Sequence, residues 1–420
     1  LDDVVTVKKT IWLSNFYENN FFHWCTCYRY LFFWLVLPSE QKKSSGIDDI
    51  QVFIPEIMRE AAIPGMAVAK VKGGELAFQQ VYGMANLETD KAVTLDTSFN
   101  IASISKPIMG VTLLQLVDQG KLELDINTYL PFKVDNPYTV NEKITLKNLA
   151  SHSAGIEDYY DYTSYSKNSD PEISLERHLR TLLTKNGSLY GDGNYYLNTM
   201  PGESRKYSNL SAGLAGLLVE SVTGQSLASY SRDTLFHSLE MDSAHWRLNG
   251  MDLNSIAVPY KVQQCVPFIG LCTDSESEKL NSLVGKYINP PFEYKTFYPY
   301  PHNGNPQYPD GGIRVSIADL SDFLIAILHN RDKSGRMILS EDMHQEMFRL
   351  QLPESISNSQ RFFWRDRHGL IGHMGTDLGV FAAMYFDPES KDGFIILMNR
   401  DADAKSANAM KEIAKRLMKI

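Results

Sequence analysis

Apolar runs of strand length sit at the two ends of this chain, and helical spacing fills the stretch between them. Gly65–Val71 and Leu76–Tyr82 are joined by Lys72-Gly73-Gly74-Glu75, a hairpin connection. Far along the chain, Gly369–Met374, Gly379–Phe386 and Gly393–Met398 read as three more strands, with Asp387-Pro388-Glu389-Ser390 turning the last pair. Two strands at the start and three at the end predict one antiparallel, five-stranded sheet closed by both chain ends. Ile50, Val52, Phe53, Ile57 and Met58 recur at helical spacing, so a helix over 48–61 precedes the sheet and another over 404–418 follows it. Helices are expected over 104–119, 145–151, 209–222, 226–236, 317–329 and 340–348. The expected fold class is α+β: sheet from 48–100 and 302–420, with a mostly helical insertion over 101–301. At 420 residues the chain exceeds the roughly 250–300 that one core supports, and an inserted subdomain accommodates the excess.

Charge narrows the partners. Lys and Arg number 41 against 50 Asp and Glu, a net −9, and such a surface repels phosphate backbones, so nucleic acid is not expected. A small-molecule or peptide substrate is expected instead, and nothing in the sequence calls for a metal or a cofactor. Residues 1–47 differ from the rest: they are rich in aromatics and carry the apolar run Leu31–Leu37 behind Arg29. Seven apolar residues are too few for a bilayer span of about 20. They suit a signal or a membrane tether followed by a polar linker, which leans towards an extracytoplasmic setting. Cys265 and Cys272 bracket Val266–Leu271 and could bridge that loop there; two free thiols are the alternative.

Three short elements carry candidate chemistry. Ser103-Ile104-Ser105-Lys106 has the form S-x-x-K and opens a helix, where a lysine three residues on returns to the face of the serine hydroxyl. A lysine in a desolvated setting can take a serine's proton. Tyr207-Ser208-Asn209 precedes another helix, placing a phenol that can act as a base beside an amide that can hold a carbonyl. His373-Met374-Gly375 lies on a late strand and is followed by Thr376. Each pattern alone is common: Ser39–Lys42, Ser164–Lys167, Tyr196-Leu197-Asn198 and His302-Asn303-Gly304 match as well.

Their order and context are more specific. The combination resembles the serine β-lactamase and penicillin-binding protein superfamily, nearest to its D-Ala-D-Ala carboxypeptidase and esterase branches. The likeness extends over 48–420. Gly120-Lys121-Leu122-Glu123-Leu124-Asp125, Ile144–Gly155 and Gly311–Leu320 are similar to further segments of that family. The resemblance implies Ser103 as acylated nucleophile, Lys106 and Tyr207 as a shared acid–base unit, and Asn209 orienting the substrate amide or ester. Backbone N–H groups of Ser103 and Thr376 would form the oxyanion hole. His373 stands where many class C β-lactamases carry Lys, which points to peptidase or esterase action rather than efficient β-lactam hydrolysis. A charged imidazole would hold a substrate carboxylate, with help from Arg361, Arg365 or Arg367. The Tyr-rich stretch 157–198 and the stretch 257–301 would border the cleft. Two other readings fit parts of the sequence: an α/β-hydrolase with its nucleophile elbow at Ser151–Gly155, and a catalytically silent partner-binding member of the same superfamily.

Overall fold

The computed structural model describes residues 46–124, 129–134, 136–139, 142–265, 272–273 and 293–420. The chain divides into two units, Leu1–Lys43 and Ser44–Ile420, and everything described here belongs to the second. The aromatic segment, the apolar run Leu31–Leu37 and the loop 266–271 lie outside the described residues. No helix among the described residues is long and apolar enough to cross a membrane.

Both chain ends do build one antiparallel sheet. Its five long strands are β1 (Gly65–Lys72), β2 (Glu75–Asn86), β12 (Leu370–Asp377), β13 (Val380–Phe386) and β14 (Gly393–Met398). The sheet has seven strands, however, in the order β11-β12-β13-β14-β1-β2-β3, because β3 (Lys91–Ala92) and β11 (Arg365–Arg367) extend its edges. Neither is long enough to show a period-2 pattern, so both escape sequence reading. Strand β12 also runs three residues beyond its expected end, which places Gly375, Thr376 and Asp377 inside the ladder.

Strict alternation on the central strands explains why they read as unbroken apolar runs. Ala67, Ala69 and Val71 of β1, Ile395 and Leu397 of β14, and Ala382, Met384 and Phe386 of β13 join the larger core on one face. Met66 and Val68, Phe394, Ile396 and Met398, and Phe381 and Ala383 face the other way. That second face is covered by α1 (Gly46–Glu60) and α9 (Ala404–Leu417), whose Ile50, Ile54, Met410 and Ile413 are buried against it. A sheet covered on both sides has no polar face to show.

The larger core gathers the helical part. Helix α2 (Ser105–Asp118) is buried on nearly every side, from Ser105 and Lys106 to Leu116, rather than along one stripe. Around it lie α3 (Leu146–Ala150), α4 (Leu175–Leu183), α5 (Asn209–Thr223), α6 (Leu227–Ser231), α7 (Ile317–His329) and α8 (Glu341–Phe348). Helix α4 stands inside the Tyr-rich stretch, and α6 passes into a π-helical segment over Arg232–Phe236. Three small sheets were not anticipated. β4 (Ser98–Asn100) pairs with β10 (Arg314–Ser316), and β5 (Ser166–Lys167) with β9 (Asn303–Gly304). β6 (Tyr260–Cys265) lies between β7 (Cys272–Thr273) and β8 (Glu293–Pro299), and the β6–β7 register sets Cys265 opposite Cys272.

The β4–β10 pair brings the chemistry to the sheet. It presents the turn after Asn100 to β12, and the approach is so close that a Cβ on Gly375 would run into the Ile101 carbonyl and lie 3.3 Å from the Ala102 Cβ. The glycine therefore admits the protein's own backbone at this point of the strand. Gly375→Ala should lower unfolding free energy by about 2 kcal/mol through overpacking. Gly110→Ala, in α2 with its nearest neighbours 3.5 Å away, should be neutral or stabilising by up to about 1 kcal/mol. Urea denaturation of the two variants checks the opposite signs.

Candidate active site

The serine hydroxyl at position 103 is presented by a strained turn. Asn100 Oδ1 accepts the Ala102 N–H at 2.8 Å, and the Ile101 N–H donates to the Ile313 carbonyl at 3.0 Å. Between these anchors Ala102 adopts φ +44°, a left-handed conformation that costs a non-glycine residue of order 1 kcal/mol or more. Ser103 thus sits in a 3-10 turn (Ala102–Ile104) ahead of α2, not at a capped helix start. Gly311 and Gly312 support the turn from behind. A Cβ on Gly311 would meet Ala102 at 3.3 Å, and one on Gly312 would press on the Trp246 and Tyr308 carbonyls at 2.7 Å. The Ile313 N–H then donates to Ser105 Oγ at 3.0 Å, tying β10 to the first turn of α2.

Lys106 converges on this hydroxyl. Its side chain is fully buried, and its ammonium donates to Ser103 Oγ at 3.1 Å, to Asn209 Oδ1 at 2.7 Å and to the Asp310 carbonyl. Tyr207 donates its phenol O–H to Ser103 Oγ at 2.9 Å, and its ring centroid lies 5.1 Å from the Lys106 ammonium. The three side chains expected from separate motifs therefore meet at one oxygen atom.

Asn209 joins them because Ser208, not Asn209, caps α5: Ser208 Oγ accepts the Ser211 N–H at 3.0 Å. The amide is oriented by Asp158, whose carboxylate accepts the Asn209 backbone N–H at 2.8 Å and Nδ2–H at 3.2 Å. Its Oδ1 is left to face Lys106.

His152 holds the other side of Tyr207. Its carbonyl accepts the Lys206 N–H at 2.9 Å and its Nδ1 accepts the Ser208 N–H at 3.3 Å, so both neighbours of Tyr207 in the chain are bound to it. Its ring lies 4.5 Å from the Tyr207 ring. Burial, then the charges of Lys106 and Arg205, hold the imidazole well below its ordinary pKa, as an accepting Nδ1 requires. Sequence reasoning gave Asp158 and His152 no role. The segment Ile144–Gly155 contained His152 as part of a family-like stretch, and nothing local marks Asp158. In the same segment Ser153 is buried, with its hydroxyl 2.8 Å from that of Ser151, so no exposed nucleophile stands there.

His373 departs from expectation. It lies on β12 beside the cluster, 6.3 Å from Tyr207 between ring centroids. Burial first, then Lys106, Arg205 and Arg365, push its pKa down to about 3, so the ring is neutral at physiological pH. Its Nδ1 lies 2.7 Å from the Met374 carbonyl, which can only accept, so Nδ1 carries the proton and Nε2 is an acceptor. A neutral ring with that tautomer cannot donate to a carboxylate. Arg361 is withdrawn as well, because it forms a bidentate pair with Asp366 at 2.7 and 2.8 Å. His302, the decoy, lies away from the cluster beside Arg314.

Among the described residues no group of side chains could hold a metal ion. A cavity of about 830 Å³ lined by Asp170, Arg232 and His245 touches none of the converging residues. Three carboxyl groups lie near Lys106. Burial raises Asp158 above its ordinary range, Asp310 to about 7 and Asp377 to about 6. For Asp310, folding favours the protonated form, so its contribution to stability is greatest at low pH and is lost as pH rises through about 7. Asp310→Asn keeps the carbonyl that Lys106 uses. Gln307, which donates to Asp310 Oδ2 at 2.9 Å, has a buried Oε1 without a partner and can turn to accept from the new amide. The variant should gain stability relative to the parent by about 2 kcal/mol at pH 8, with the gain shrinking towards pH 5. Denaturation at both pH values checks the sign.

Comparison with known proteins identifies the family. A family model described as Beta-lactamase matches residues 50–417. Protein flp of Staphylococcus aureus is 26% identical over 266 residues, 60% of this chain and 51% of that protein. Esterase EstB of Burkholderia gladioli is 28% identical over 186 residues, 41% of this chain and 45% of the esterase. The chain thus spans about half the length of these relatives. The D-amino acid amidase of Ochrobactrum anthropi SV3, solved with D-phenylalanine, superposes with a TM-score of 0.61 at 20% identity, covering 88% of this chain and 98% of the amidase. From the match over most of its length, the chain belongs to the beta-lactamase family, within the serine hydrolase superfamily.

Proposed function

We propose that the protein hydrolyses an amide or ester through a covalent Ser103 acyl-enzyme. The observation that carries this reading is the convergence of the Lys106 ammonium and the Tyr207 phenol on one hydroxyl, at 3.1 and 2.9 Å. Ser103 Oγ attacks the substrate carbonyl carbon while its proton passes to the Lys106–Tyr207 unit. With both groups donating to Ser103 neither can accept, so the reactive form carries one proton fewer on the pair. The same unit returns the proton to the departing amine or alcohol, and water then releases the acyl group. Asn209 holds Lys106 through Oδ1 and keeps its second Nδ2 hydrogen for a substrate carbonyl. The oxyanion falls to the backbone N–H groups of Ser103 and Thr376, and the abutment of Gly375 on Ile101 and Ala102 supports that assignment.

A small acyl or peptide substrate suits this reading better than a β-lactam, since His373 supplies no charge where a lysine would. The esterase and amidase resemblances support the same choice. An extracytoplasmic setting completes the proposal, supported by the apolar run Leu31–Leu37 and by two cysteines in cross-strand register. Ser103→Ala should abolish covalent labelling by a fluorophosphonate and lower turnover about 10³-fold or more, while Ser153→Ala labels normally. Removing Lys106 or Tyr207 singly should cost nearly as much as removing both, because groups that share a proton are not additive. Mass spectrometry of the labelled protein checks the site, and additive losses in steady-state kinetics would separate the pair.

A further inference from the structure

The region beside Asp310 is built of acceptors and aromatic rings. A small cavity of about 10 Å³ lies there, with Tyr160, Tyr165, Asp161, Asp310, His178 and Gln307 in its lining and no lysine or arginine. Tyr160 is exposed, so the cavity meets solvent beside it. The rings of Tyr160, Tyr162 and Tyr165 follow one another at 5.4 and 5.3 Å between centroids. The cavity adjoins the reacting groups through two residues. The main-chain carbonyl of Asp310 accepts from the Lys106 ammonium, and Asp158, which holds Asn209, precedes Tyr159 of the lining. Tyr207 and His373 line a different opening.

The polar groups of this cavity are short of donors. Asp310 is buried, and the hydrogen bonds that its carboxyl oxygens accept come from neutral amides, Asn305 Nδ2 at 2.8 Å and Gln307 Nε2 at 2.9 Å. Gln307 is 4% exposed, and its Oε1 is buried with no hydrogen-bond partner. Asp161 is engaged by Thr163 and by the Tyr159 phenol, and burial lowers the His178 pKa, so no cation faces the cavity from its own lining. A buried carboxyl group and an orphaned amide oxygen beside aromatic faces are matched by a cationic donor. The volume admits one water-sized group, which is the size of an ammonium head.

We propose that Asp310, Gln307 and Tyr160 form a subsite for a primary ammonium group on the acyl portion of the substrate, so that aminoacyl esters or amides are the preferred class. The side of the cleft follows from Tyr207 and Asn209. Tyr207 belongs to the unit that returns a proton to the leaving group, and it lines the opening away from this cavity. Asn209, with its spare Nδ2 hydrogen for a substrate carbonyl, is held by Asp158 at the start of the Tyr-rich stretch. The acyl chain therefore runs from Ser103 past Asn209 towards Tyr160. There the ammonium donates to the Asp310 carboxylate and to Gln307 Oε1, with the Tyr160 ring beside it. A bound cation also offsets the burial that holds Asp310 up to about 7. The inference rests on the hydrolase reading above for its orientation, but not for the binding itself.

The test uses methyl esters in which an ammonium group is exchanged for a methyl group of the same shape. Alanine methyl ester, as both enantiomers, is compared with methyl isobutyrate, and β-alanine methyl ester with methyl butyrate. An α-ammonium group activates an ester in solution, so the readout is the change that a substitution makes in the charged-to-neutral ratio of kcat/KM. Asp310→Asn should lower that ratio about tenfold for the better pair at pH 7, mainly through KM for the charged ester. Tyr160→Leu should lower it severalfold, and Tyr160→Phe, which keeps the ring, should not. Asp377→Asn removes a carboxyl group that also feels Lys106 but does not line the cavity, and should leave the ratio close to the parent's. Binding of alaninamide and β-alaninamide to Ser103→Ala, followed by ligand-observed NMR, should weaken when Asp310→Asn is added, while binding of butyramide should not. Ratios and binding indifferent to Asp310 and Tyr160 mean that the cavity holds only water, and overturn the subsite while leaving the hydrolase reading intact. An equal loss in Asp377→Asn and Asp310→Asn also overturns it, as an effect of overall charge. Asp310-dependent binding with neither ester hydrolysis nor labelling of Ser103 overturns the hydrolase reading and keeps the subsite; absence of both overturns each.

Discussion

A buried ammonium group organises the molecule around its cleft. Lys106 forms no ion pair in the described structure; its charge is solvated by the hydroxyl of Ser103, the amide oxygen of Asn209 and the carbonyl of Asp310. A cation removed from water is costly unless its hydrogen-bonding positions are filled, so these three ligands must be delivered together. They come from the 3-10 turn ahead of α2, the start of α5 and the segment leading into β10, a spread of more than 200 residues from first to last. The second layer follows from the first: Asp158 turns the Asn209 amide, and Gly311 lets the chain after Asp310 pass against Ala102 while Gly312 lets it pass Trp246 and Tyr308. The left-handed conformation of Ala102 persists because hydrogen bonds on both sides of it define that turn.

The same economy of space joins the two parts of the fold. The sheet could not approach the Ser103 turn if β12 carried a side chain at Gly375. A sheet buried on both faces is rigid across its width. Its edge beside the cleft therefore serves as a fixed wall, against which the helical part sets Ser103, Lys106 and Tyr207. His152 extends that wall from the other direction, with its ring between Tyr207 and Phe363 and its main chain bound beside Tyr207.

Much of this was legible in the sequence, for reasons that vary by element. Long strands buried on both faces leave unbroken apolar runs, so β1, β13 and β14 could be placed closely, and helical spacing placed the terminal helices. Ser103, Lys106 and Tyr207 could be named because their spacing and order matched a family, although each motif also matches elsewhere in the sequence, as at Ser164–Lys167 and His302–Gly304. Strands of two or three residues, such as β3, β10 and β11, have no period to detect, and the anchoring of the Ser103 turn beside β4 and β10 was hidden with them. Asp158 and Asp310 act through contacts that span 51 and 204 residues, with no local signature. His373 was misjudged for an electrostatic reason. Its sequence position suggested a switchable charge, whereas its surroundings hold burial and three cations, and together they keep the ring neutral.

Seen along β12, the cleft is polarised. Arg365 and Arg367 pair with the first residues of the strand, and Asp377 ends it, close to the buried Asp310 and the half-buried Asp158 that also feel Lys106. One end of the strand gathers guanidinium groups; the other gathers carboxyl groups whose ionisation burial resists. Ser103, Lys106 and Tyr207 meet on one oxygen beside this strand, so the hydroxyl at the centre of the cluster lies in a field that changes sign along β12.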